Sequence, residues 1–248
     1  MNRQSQTAVL FLLGASLLHA GTTDLYLRYV KTGLRPLVLV AGAVLVAAAV
    51  ASLWYGRKAG EEQAAHGQGH GHGHGHGHRH GEPRVSWLLV LPVLALVLVA
   101  PPALGSYSAT RTGTALQEPI AYPALPAADP LRLSVMDYAG RAIYDEGRTL
   151  TGRRIEITGF VALDDAGAPY LVRMALSCCA ADAQPIKVAL TGAVPPVLQP
   201  DTWLRVTGTY TPRRTTDPVN DGPIPYFEVT AATPVPVPHD PYDESWNG

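Results

Sequence analysis

Two cysteines stand side by side at Cys178 and Cys179, and they are the only two in a chain of 248 residues. They lie in Ser177-Cys178-Cys179-Ala180-Ala181-Asp182-Ala183-Gln184-Pro185, at the end of an apolar run and just ahead of a proline. Two thiolates and the Asp182 carboxylate make a soft donor set suited to Zn²⁺ or Cu⁺. Successive strand residues point to opposite faces, so both sulfurs reach one ion only if the chain turns. The stretch from Ala180 to Pro185 is compatible with such a turn. Adjacent cysteines also admit a vicinal disulfide, whose strain raises its reduction potential, and that gives a thiol redox reading. The plainest alternative is one buried small side chain and one exposed thiol. Nucleophilic catalysis needs a base beside the thiol. The only histidine after residue 80 is His239, in a Pro-rich tail, and no phosphate loop, G-x-S-x-G or H-E-x-x-H motif occurs. The sequence therefore reads as a non-enzyme; beside the membrane-anchored thiol redox reading, an envelope scaffold or binding module is the blander alternative.

A second donor-rich stretch alternates histidine with glycine: His66, His70, His72, His74, His76, His78 and His80. Neutral imidazole ligates Zn²⁺, Ni²⁺ and Cu²⁺. So many donors on a Gly-rich chain can gather in pairs or triples around one ion, zinc or another transition metal, without specifying a geometry. The competing reading is a low-complexity hydrophilic linker.

The elements that carry these donors follow from hydropathy. About 20 apolar residues suffice to cross a bilayer as a helix, and three runs meet that length: Thr7 to Tyr26, Pro36 to Tyr55, and Val85 to Leu104. The first has His19 and Asp24 near its end, and a signal peptide is the competing reading for it. The second is uncharged, starts with Pro36 in a first turn and ends with Trp54-Tyr55, as an interfacial aromatic belt would. The third is broken by Pro92 and stopped by Pro101-Pro102. Residues 1–105 thus read as a multi-pass cell-membrane region in the lipid bilayer, with a His-rich loop at 60–84. Arg3, Arg57, Lys58, Arg79 and Arg84 outnumber Arg28, Lys31, Arg35 and Arg111 by one, which favours a C-terminal domain outside the cytoplasm; if the first run does not span, the His-rich loop lies outside and the C-terminal domain in the cytoplasm.

Residues 106–130, rich in Ala, Pro, Thr and Ser, read as an extended linker. Residues 131–233 change texture. Ser134–Asp145 suits a short capped amphipathic helix. Five short β-rich runs follow, with Gly159 and Gly208 inside two of them and turn chemistry at Asp164-Asp165-Ala166-Gly167. A strongly bent five-stranded sheet closing into an OB-like small barrel is the expected all-β solution, with a β-sandwich as the alternative. Residues 234–248 read as a Pro-rich surface tail. The net charge of −1 provides no basic field for nucleic acid.

The order of these features, together with Thr158-Gly-Phe-Val161, the run Arg173-x-x-x-Ser177-Cys178-Cys179-x-Ala181-Asp182-Ala183-x-Pro185, Trp203-x-x-Val206-x-Gly208-Thr209 and Pro241-Tyr242, resembles the YcgQ-like family of bacterial membrane proteins, described as permease subunits. The resemblance spans nearly the whole chain. It implies a multi-span permease of the YcgR-like type as partner, and a zinc-linked setting that the Gly-His run suits. The ending Asp-Pro-Tyr-Asp-Glu-Ser-Trp-Asn-Gly departs from the family, whose members more often end soon after an aromatic pair.

Overall fold

The computed structural model describes residues 3–65, 91, 94–95, 98–99 and 102–243. These fold as two units, and the division does not follow the chain order. One unit holds the two N-terminal helices. The other takes in Leu27–Thr32 together with the chain from Ala103 onward.

In the helical unit, α1 covers Arg3–Thr22 and α2 covers Arg35–Ala65. Their closest approach is made by small residues. A Cβ on Gly42 would stand 2.9 Å from Leu18 Cγ and 3.0 Å from the Gly14 carbonyl, and one on Gly14 would meet Val46. Such small-residue contacts let helix backbones approach closely. Arg35 Nε donates to the Gly21 carbonyl at 2.9 Å, satisfying one of the last carbonyls of α1. Thr32–Tyr55 has a mean hydropathy of 2.5 and leaves Leu37, Val40, Val44, Leu53, Trp54 and Tyr55 exposed. Among the described residues it is the one helix long and apolar enough to cross a membrane, as an anchor or a signal sequence would be. The first expected span forms a helix that stops at Thr22, where Thr22 and Thr23 hydroxyls donate back to the His19 carbonyl. Its Ser, Gln, Thr and His content keeps it below the apolarity of α2. The third expected span and His66 to His80 lie outside the described residues, apart from a few positions of the span. Residues 60–65, read as the start of the His-rich loop, continue α2.

The second unit is a small β-barrel. Its strands are β1 (Leu131–Arg132), β2 (Ile155–Leu163), β3 (Pro169–Ala175), β4 (Gln184–Gly192), β5 (Trp203–Thr216), β6 (Pro223–Pro234) and β7 (Tyr242–Asp243). Five of them close in the order β2-β5-β6-β4-β3 and back to β2. All neighbours are antiparallel except β4 and β6, which run parallel with Ala189 opposite Tyr226. The five-stranded barrel expected from the Gly-marked strands is present. Closure demands sharp bends, and two glycines permit them. A Cβ on Gly159 would stand 2.7 Å from the Val172 carbonyl, and one on Gly208, at a bulge against β6, would collide with the Glu228 carbonyl. The β2–β3 turn is built by Asp164, whose Oδ1 accepts from Ala166 N at 2.9 Å and Ala168 N at 2.7 Å.

One end of the barrel is plugged by helix α4 (Val135–Ile143). Ser134 caps it, accepting from Asp137 N at 2.9 Å. Its buried face presents Val135, Met136, Tyr138, Ala139 and Ala142 to Ile155, Ile157, Leu171, Ile186, Val206 and Phe227. Tyr138 stands edge-on to Phe227 with centroids 5.1 Å apart, and its hydroxyl donates to the Tyr226 carbonyl. The interval 106–130, read as an extended linker, is instead bound to the barrel. Its first part is a short helix, α3 (Ser106–Arg111), whose Ala109 packs with Phe160, Val172, Met174 and Trp203 in a second core on the outer face. That second core is why β2 is buried on both faces from Phe160 to Ala162. Asp217 accepts from Thr114 N at 2.8 Å and pairs with Lys187 Nζ at 2.6 Å, both side chains being almost fully buried. Further on, the buried Arg141 donates to Asp137, Thr149 and the Pro123 carbonyl and lies 5.1 Å over the Tyr122 ring. The tail read as surface coil returns too. Tyr242 in β7 is only 4 % exposed and pairs beside Met174.

Candidate functional site

The two cysteines sit in the connection between β3 and β4. Leu176 ends the buried run, Cys179 is extended with φ −153°, and Ala180–Asp182 form one 3-10 turn that reverses the chain. That turn brings Asp182 back onto the loop it closes. Its Oδ1 accepts from Ser177 N at 3.0 Å and its Oδ2 from Cys178 N at 2.8 Å. The donor atoms of Cys178, Cys179 and Asp182 all lie within 4.8 Å of one another. Cys178 is exposed; Cys179 and Asp182 are half-buried. The juxtaposition that the sequence allowed is thus present, and the turn after Cys179 produces it. The histidines of the Gly-His stretch lie outside the described residues.

The electrostatics of the loop keep the free thiol protonated. Cys178 donates to the Asp182 carboxylate and shares a hydrogen bond with Cys179, and with some burial these push its pKa up to about 12. Removing the proton would set a thiolate against a carboxylate. For Asp182, burial pushes upward, but the hydrogen bonds from the Cys178 side chain and the Cys178, Ser177 and Cys179 amides outweigh it. The carboxyl is held below its usual range. One expectation follows for the metal-free protein. At pH 8, far below the raised pKa, Cys178 should react with iodoacetamide on the order of a hundredfold more slowly than an ordinary cysteine, after allowance for the greater nucleophilicity of a more basic thiolate. The rate should climb as pH approaches 12. Asp182→Asn should restore most of the reactivity, and equal rates for both proteins at pH 8 would contradict the assignment.

The loop also has a partner that sequence reasoning missed. Residues 27–32, in the middle of the connection between α1 and α2, lie against it, and Val30 makes a single antiparallel bridge with Cys179. Lys31 N donates to the Cys178 carbonyl at 3.1 Å, and Ala180 N donates to the Tyr29 carbonyl at 2.7 Å. Tyr242 reinforces the arrangement, its hydroxyl donating to the Arg28 carbonyl at 2.7 Å while accepting from Leu104 N. Thr32 Oγ1 donates to Asp240 at 2.9 Å. No periodicity in the connection from Thr23 to Leu34 flags a single bridge whose partner lies some 150 residues away, so local pattern carried no signal for it.

Arg173, the charged interruption of β3, donates to the Tyr242 carbonyl at 3.0 Å and stacks 5.0 Å over Trp203. It fastens β7 and the outer core rather than facing the sulfurs. On the other side, Ser177, Asp182 and Gln184 line a groove of about 1060 Å³ whose far wall includes Tyr122, Asp137 and Arg141.

No curated protein and no solved structure matches the chain. The residues from the approach to β1 through the end of β7, 127–243, match the family model of the DUF1980 C-terminal domain, a stretch that holds the barrel, α4 and the cysteine loop.

Proposed function

We propose that the chain is a non-enzymatic accessory subunit of a multi-span membrane permease of the YcgR-like type. In this reading it is a multi-pass membrane protein with an extracytoplasmic barrel and a role in transition-metal handling, zinc foremost. The observation that carries it is the division of the chain: the barrel incorporates the connector of the two N-terminal helices and lays it on the cysteine loop. A link of this kind between the barrel and the connector of the apolar helices suits a module that works beside a membrane partner. The similarity to the YcgQ-like family supports the choice of partner, and the DUF1980 match is consistent with it.

The thiol redox alternative is less well supported. A redox thiol needs thiolate character at neutral pH, and the hydrogen bond to Asp182 holds Cys178 in the opposite state.

The test is crosslinking in native membranes from a photo-reactive residue placed at Val219, an exposed position on the β5–β6 connection. The expected product joins this chain to one multi-span membrane protein in a stoichiometric complex that survives detergent. Recovery of the chain alone, with metal accumulation in cells unchanged on its deletion, would sink the reading.

A further inference from the structure

We propose that Cys178 Sγ, Cys179 Sγ and the Asp182 carboxylate form an exchangeable binding site for one soft divalent cation of the zinc type. The binding itself stands on the loop geometry alone. Its meaning as cargo rests on the accessory-subunit reading above.

The loop's backbone is fully committed, and its sulfurs are what it displays. Cys178 N binds Asp182 and its carbonyl accepts from Lys31. The Cys179 carbonyl accepts from Asp182 N, and Ala180 N is taken by Tyr29. Beyond the turn, the Pro185 carbonyl accepts from Ala115 N. Both edges of the turn are therefore clamped, one by residues 29–31 and the other by the segment after α3. Preorganised donors on a clamped frame are what a metal site requires.

The dimensions suit the ion. Zinc–sulfur bonds are about 2.3 Å and zinc–carboxylate bonds about 2.0–2.2 Å, so two donors on one ion are separated by less than about 4.6 Å. The three donors here begin within 4.8 Å of each other, so side-chain rotation with no change of backbone is enough. The charge suits it as well. Two thiolates and a carboxylate repel one another without a cation, and a divalent ion offsets that repulsion. Three protein donors leave a tetrahedral ion one open position, and Cys178 lies exposed at the surface. Structural zinc sites close all four positions, whereas an open one allows a water or an incoming ligand to bind and the ion to leave.

The test uses the full chain, stripped with chelator in detergent and kept reduced. It is titrated with Cd²⁺ and followed by sulfur-to-cadmium charge-transfer absorption, which the histidines of residues 66–80 do not produce. One equivalent of Cd²⁺ per chain should develop the band, and Zn²⁺ should displace it. Cys178→Ser and Cys179→Ser should each lower the affinity at least about 100-fold. Asp182→Asn, whose amide oxygen still accepts from the loop, should lower it about 10–100-fold. Hydrogen exchange at residues 27–32 in the metal-free variants checks that the loop remains docked. No band, a band unchanged in either serine variant, or one Cd²⁺ shared by two chains would overturn the site. An Asp182→Asn protein of unchanged affinity would overturn the three-donor set. These outcomes do not depend on whether a permease crosslinks, so failure of the site and failure of the accessory-subunit reading are separate results.

Discussion

Asp217→Ala should lower the stability of the barrel unit by about 3–5 kcal/mol, the range for removing one partner of a buried ion pair. Its carboxylate is fully buried, 2.6 Å from Lys187 Nζ, and also accepts from Thr114 N and Val219 N. The substitution leaves an ammonium 7 % exposed in the barrel wall with no counter-charge. It also releases the segment after α3, because the Thr114 amide loses its acceptor. The loss should appear in thermal unfolding of the detergent-solubilised chain as a fall of the barrel transition on the order of 10 °C. The double change Lys187→Met with Asp217→Leu should recover part of it, since an apolar pair of similar volume is often as stable as the buried ions it replaces, while the Thr114 amide stays without its acceptor. A single-variant loss under about 1 kcal/mol would mean that water reaches Lys187.

Gly208→Val should prevent the barrel from closing. At the β5–β6 bulge a Cβ at this position collides with the Glu228 carbonyl and stands 2.7 Å from the Phe227 ring. A carbonyl in the sheet cannot swing away like the end of a side chain, so the two strands must separate, and the cost should exceed about 4 kcal/mol. The contrasting substitution is Gly167→Ala. That glycine has φ +80° with open space around it, so only backbone strain is felt, at about 1 kcal/mol. Soluble yield and the near-ultraviolet circular dichroism of the two variants compare them directly. A well-folded Gly208→Val protein would show that the bulge relaxes.

These two sites also show how much of the molecule could be read from its residues. Gly208 and Gly159 were visible as bends because a glycine inside a β-rich run needs a reason. The helix at 135–143 was visible through its Ser134 cap and apolar spacing. Asp217 was not visible. It lies in a polar turn sequence, Thr-Thr-Asp-Pro, and its partner comes from β4 across the barrel. β5 itself runs on to Thr216, well beyond Tyr210, where the sequence pattern ends. Pro212-Arg213-Arg214 breaks the alternation, but an irregularity between Tyr210 and Arg214 absorbs it and Arg213 lies 4.4 Å over Tyr226. The parallel pairing of β4 with β6 is equally beyond local pattern, since it joins strands separated in sequence by all of β5. At the candidate site the residue types and the turn were readable. The strand that covers the turn was not.

That covering strand has a consequence for how this domain can be passed between proteins. The family region, 127–243, contains the cysteine loop but not residues 27–32. Cut out along that boundary, the loop presents the Cys178 carbonyl and the Ala180 amide as an open edge, and each lost hydrogen bond costs about 0.5–1.5 kcal/mol. The domain is therefore incomplete as a contiguous piece of sequence. An extended segment from elsewhere could satisfy that edge by strand addition. In this chain the supplier is the hairpin connector of its own first two helices. The hydrogen bonds to the loop itself are made by the backbone of Tyr29 and Lys31, so they place little demand on those two side chains.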